Sequence, residues 1–144
     1  MKLLALSGLL LCALVSVTTA QTTKSPKIFA IQQAAGVILG QMSVFPSVVS
    51  DITQGNNVQA SVSNGLNAVN IIKSQYTYFD TSYTAAVPTT LRTKLTTYFN
   101  NFKTAITSIE KYLGATTIST ANLSTALDKA QKELINLGSV VYQL

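Results

Sequence analysis

Histidine and tryptophan are absent from the 144-residue chain, and its one cysteine, Cys12, lies within the first twenty residues. Beyond residue 20 the usual general base, the commonest metal-binding ring and the thiol nucleophile are all missing. Acids are scarce as well: Asp51, Asp80, Glu110, Asp128 and Glu133 are all five. They form no acidic cluster of the kind that holds a hard cation through oxygen ligands. Asp51 and Asp80 fall at opposite ends of neighbouring helices in the reading below, which does not suit the two converging carboxylates of glycoside hydrolysis. Asp128 with Lys132, and Lys129 with Glu133, are i,i+4 pairs expected on an exposed helix face. The expectation is a protein that is not an enzyme and uses no cofactor or metal.

Charge is low altogether, 10% of residues against about a quarter in ordinary domains. Ten Lys and Arg outnumber the acids, but they are scattered and include one arginine, Arg92. Without a basic run or an aromatic-interleaved cluster, nucleic-acid binding is excluded as a reading. Thr, Ser, Asn and Gln fill the polar positions instead, which leaves a modest solubility margin.

The first twenty residues have the form of a cleaved signal peptide. Lys2 supplies the positive start, Leu3 to Val17 is a nearly unbroken apolar run, and Thr18-Thr19-Ala20 provides small residues for cleavage. A run of that length falls short of the roughly 20 residues a membrane span needs. Cleavage after Ala20 removes Cys12, so the mature chain is free of cysteine and of disulfides. It keeps nine Lys and Arg against five acids, net +4. The expected product is secreted, extracellular, not transmembrane, and a single domain over residues 21–144.

Four stretches carry apolar residues every three or four positions, the helical period. The first runs Ile28, Ile31, Ala35, Ile38, Met42, Phe45, Val49, Ile52, opened by Ser25-Pro26 and closed at Gln54-Gly55-Asn56-Asn57. Val58, Val62, Leu66, Val69, Ile72, Tyr76, Phe79 and Tyr83 form the second, ended by Val87-Pro88. A third reads Leu91, Leu95, Phe99, Phe102, Ile106, Ile109, Leu113, with Gly114 suited to a C-terminal cap. The fourth opens near Ser119-Thr120 and reads Leu123, Leu127, Ala130, Leu134, Leu137, Val141. Period-2 alternation is not sustained anywhere. Helices of roughly 22 to 29 residues joined by short connections predict an all-α fold: an antiparallel up-down-up-down four-helix bundle.

Within that bundle Gly36 and Gly40, with Ala34 and Ala35, make a low-relief strip. It admits close approach of a neighbouring helix, or missing volume that leaves a cavity for an apolar ligand, and Gly65 admits the same two readings. Pro46 predicts a kink or a break near Phe45. Antiparallel packing gathers Phe29, Tyr76, Tyr78, Phe79, Tyr83, Tyr98, Phe99 and Tyr142 at one pole, with Lys27, Arg92 and Lys94 beside them as candidate cations for the rings.

Two functional expectations follow. The first is a secreted binder of a lipid, a small apolar ligand or a hydrophobic surface, with Ile38, Met42, Phe45, Leu66, Tyr76, Phe79, Tyr98, Phe99 and Phe102 as the candidate ligand-binding residues. The second is an extracellular protein-interaction or structural factor (salivary, venom, seminal or cell-wall associated) that uses the uncharged Thr/Ser/Asn surface. Asn122-Leu123-Ser124 is a sequon, which makes Asn122 a candidate glycosylation site. In layout alone, a cysteine-free secreted helical domain of this size resembles fungal hydrophobic-surface-binding and cell-wall mannoprotein modules. That resemblance carries no shared motif and no residue roles.

Overall fold

The computed structural model describes residues 24–144; the signal peptide expected at residues 1–20 lies outside them. The described residues are helical, without strands. In chain order the elements are α1 (Pro26–Met42), α2 (Phe45–Gln54), α3 (Val58–Ser74), a 3-10 turn (Tyr76–Phe79), α4 (Thr81–Thr84), α5 (Thr89–Leu113) and α6 (Thr120–Val141). Five of these helices have ten residues or more, so the expected four long helices are not what forms.

The first expected helix breaks at Ser43-Val44. Pro46 is the cause: it has no N–H for the Met42 carbonyl, and its ring crowds that same carbonyl. The chain tightens there instead, with the amides of Ser43 and Val44 bonding to the carbonyls of Gly40 (3.3 Å) and Gln41 (3.1 Å). Met42 and Phe45, on either side of the break, are both buried. α2 stops at Gly55, whose φ of 70° is a left-handed cap open to glycine at little cost.

The second expected helix fragments after Ser74. Asp80 accepts hydrogen bonds from the amide and hydroxyl of Ser82 (2.8 and 2.6 Å) and the amide of Tyr83 (3.4 Å). It thereby starts a new helix rather than continuing the old one. The buried face of α3 also differs from the expected stripe: Ser61, Gly65, Ala68, Val69 and Ile72 are buried, while Val58, Val62 and Leu66 stand half-exposed beside the seam. α5 and α6 follow their stripes closely, adding Ala105, Ala126 and Val140 and leaving Leu91 half-buried.

The packing contacts close a ring. α1 and α2 each touch α3 and α6, α3 touches α5, and α5 lies along α6. α1 also packs on the 3-10 turn and α4. Two side-chain cross-links secure the seams. The Ser61 hydroxyl donates to Asp51 Oδ2 (2.8 Å), joining α3 to α2. Lys73 pairs with Glu110 at 3.0 Å, joining α3 to α5. Among the described residues no ion pair closes between Asp128 and Lys132 or between Lys129 and Glu133; both were expected. The Glu133 carboxylate instead accepts from the Asn136 amide at 3.4 Å.

Candidate binding surface

The nine residues expected to bind a ligand divide into three groups. Ile38, Phe45 and Phe102 are 0% exposed, and Met42 is nearly so. A side chain with no accessible surface borders no void as large as a water molecule, so these three are filled on every side by protein. Tyr76, Phe79 and Phe99 form an aromatic cluster of their own: Phe79 stacks on Phe99 (centroids 4.3 Å apart) and Tyr76 meets Phe99 edge-on (5.3 Å). Leu66 and Tyr98 are half-buried at the edge of the core and join neither group.

The cations near the rings are not those expected. Lys27 donates from Nζ to the Ser82 carbonyl (2.8 Å), and Arg92 clamps the carbonyls of Ala85 and Val87 (2.9 Å each), so both are spent on the α4 segment. Lys103, one turn beyond Phe99 on α5, is the residue whose ammonium lies 5.7 Å from the centroids of both Tyr76 and Phe99. Its i,i+4 spacing from Phe99 was legible in the sequence. The Tyr76 hydroxyl is buried without a partner. Burial first, and the nearby Glu110 charge second, push its pKa well above the ordinary phenol value, so it stays neutral.

The exposed large apolar side chains lie elsewhere: two on the outside of α1, Ile135 on α6, and Tyr142 just past it. Phe29 is 49% exposed, Val37 is 40% exposed, and Tyr142, which follows α6, is 57% exposed. The Gln32 side chain reaches the Val141 carbonyl (3.4 Å), which places the start of α1 beside the end of α6. Phe29 and Tyr142 therefore share one end of the molecule. Between α1 and the 3-10 turn runs an open groove of about 600 Å³ lined by Ala30, Gln33, Gly36, Val37, Gln75 and Tyr78. The sequence reading of Gly36 and Gly40 as a close-approach strip fails here, because an added Cβ at either meets nothing within 4 Å. Close approach holds at Gly65, where an added Cβ lies 2.9 Å from Leu113 Cδ1.

Comparison with known proteins returns no matching family model, no matching curated protein and no matching solved structure.

The outer face of α1 belongs to an unusual stretch. From Ile28 to Ser50 no residue is charged. Pro26–Gln54 is long and apolar enough, by length and composition, to cross a membrane, yet only 33% of its most apolar window is buried in the fold. A helix that serves only a core carries polar residues on its outward side; this one exposes Phe29, Val37 and Gly40 beside Lys27 and Gln33. Among the described residues no three His, Cys, Asp or Glu side chains gather into a metal-binding group.

Proposed function

We propose that this chain is a secreted, non-catalytic helical protein that binds apolar matter, a lipid or hydrophobic surface, along the outer face of α1 rather than inside its core. The observation that carries the reading is the uncharged stretch Ile28–Ser50, apolar beyond what its burial requires, with Phe29 and Val37 exposed within it and Tyr142 exposed at the same end of the molecule as Phe29. The zero exposure of Ile38, Phe45 and Phe102 supports a surface over an internal pocket. Export follows from the leader-like residues 1–20. The ring of contacts supports an up-down-up-down bundle in which α1 and α2 together form one broken rod, α3 with the α4 segment the second, and α5 and α6 the others. The break at Ser43-Val44 and the shared core favour an α1 that lies along an apolar surface over one that spans a bilayer.

A contact with an extracellular protein is the second reading. It is favoured by the outward side of α5, where Thr104 and Thr107 turn their hydroxyls back onto the carbonyls of Asn100 and Lys103 (3.0 Å each) and leave their methyl groups to a partner.

One experiment separates them: displacement of a fluorescent fatty acid, and retention on C18-coated beads, by residues 21–144. The expected result is capture by the wild type, a fall of about tenfold in Val37→Asp and Phe29→Asp, and no change in Ile135→Asp, an exposed apolar position on α6. Equal capture by all variants, or none by the wild type, overturns the reading and leaves the protein-contact alternative.

A further inference from the structure

Asn122 stands exposed in the first turn of α6, its amide bonded to Ser119 Oγ (3.3 Å). Beside it lies a small hollow of about 80 Å³ between α5 and α6, bordered by Ser108, Tyr112, Thr125, Lys129 and Asn122 itself. The hollow has the chemistry of a sugar seat. The half-buried Tyr112 brings an aromatic ring to its border; the Ser108 and Thr125 hydroxyls donate to the carbonyls of Thr104 (3.1 Å) and Ala121 (2.9 Å) and keep lone pairs that can accept from sugar hydroxyls, and Lys129 adds an ammonium.

We propose that Asn122 carries an N-linked glycan whose first sugar rests over this hollow, with one edge beside Tyr112. The proposal rests on the export reading above, since the lipid-linked donor is met by a chain entering an export pathway. In the transfer, the Asn122 carboxamide nitrogen bonds to the anomeric carbon of a polyisoprenyl-pyrophosphate oligosaccharide. The anomeric C–O bond breaks, the lipid pyrophosphate leaves with its electron pair, and the amide proton passes to a base of the transferase.

The fold also dates the event. The transferase must engage Asn122 and Ser124 together. In a helix, residues two apart point about 200° away from each other, and the residue between them, Leu123, is 0% exposed. Modification therefore precedes closure of α6 onto α5, and the folded protein is not a substrate. Once α6 closes, the attached sugar and Tyr112 are brought side by side.

The test expresses the full chain in cultured insect cells, with its own residues 1–20 and separately with those residues replaced by a generic secretory leader. The medium is then treated with peptide-N-glycosidase. Expected results are loss of one glycan mass and conversion of residue 122 to aspartate, no shift in Asn122→Gln, and full retention of the shift in Ser124→Thr. Release of the glycan from native protein is expected to be at least tenfold slower than from heat-denatured protein, and Tyr112→Ala removes most of that difference without lowering occupancy. Secreted protein unmodified with both leaders overturns the proposal, and native release as fast as denatured release overturns the sugar seat. Modification with the generic leader alone leaves the site standing and sinks the export reading instead.

Discussion

One methyl group added at position 65 comes within 2.9 Å of Leu113 Cδ1 and 3.3 Å of Val48 Cγ1, both buried side chains. Overpacking of that kind costs about 1–3 kcal/mol, and the gain in helix preference returns at most about 1 kcal/mol. Gly65→Ala is expected to destabilise by about 1 kcal/mol. The same change at Gly36 or Gly40 meets open space within a helix, so only the backbone term acts, and each is expected to stabilise by roughly 0.5–1 kcal/mol. Urea unfolding of the three variants checks all of this, and a midpoint that moves the same way at all three positions contradicts it. The sequence placed these three glycines in helical stretches but did not show their differing surroundings, because spacing along one helix says nothing about where its neighbours approach.

The helices whose periodicity read correctly are those built from large residues. On α5, Leu95, Phe99, Phe102, Ile106, Ile109 and Leu113 are buried as their spacing indicated, and α6 follows the same rule. α3 misled because its seam is chosen by size rather than hydrophobicity: Ser61, Gly65 and Ala68 let the neighbours close in, and Val62 and Leu66 are displaced to the flank. The loss of helix after Ser74 had a readable cause in Asp80-Thr81-Ser82, a start signal that the apolar count passed over. Asp80 also makes this element pH-sensitive. Hydrogen bonds from the Ser82 hydroxyl first, then from the backbone amides of Ser82 and Tyr83, and the Lys27 charge hold its carboxyl below the ordinary value. A depressed carboxylate stabilises the fold above its unfolded pKa of about 3.9, and the contribution drains away as pH falls through the lower folded value. Wild type is therefore expected to lose more stability than Asp80→Asn as pH falls below about 4, with the two converging in stronger acid; parallel urea midpoints across that range contradict it.

At the scale of the whole molecule, the ring of helix contacts depends on large side chains that vanish completely into the core, among them Ile38, Phe45, Phe102, Ile106 and Leu137. The candidate binding surface was the less legible part. Periodicity finds inward faces, and it led to Ile38, Met42, Phe45 and Phe102, which are packing residues. Phe29 and Val37, on the other side of α1, break no pattern and are conspicuous only once the neighbours are in place. The uncharged run from Ile28 to Ser50 has one more consequence, felt before any neighbour exists. On the export reading proposed above, the chain threads a translocation channel and presents these 23 residues soon after residues 1–20, and about 20 apolar residues are enough to stop transfer. Gln32, Gln33, Gln41 and Pro46 are among the residues that interrupt its apolar character. Replacing Gln33 and Gln41 together with leucine is expected to trap the polypeptide as a carbonate-resistant membrane protein, depleted from the culture medium, even though both positions lie outside the buried core.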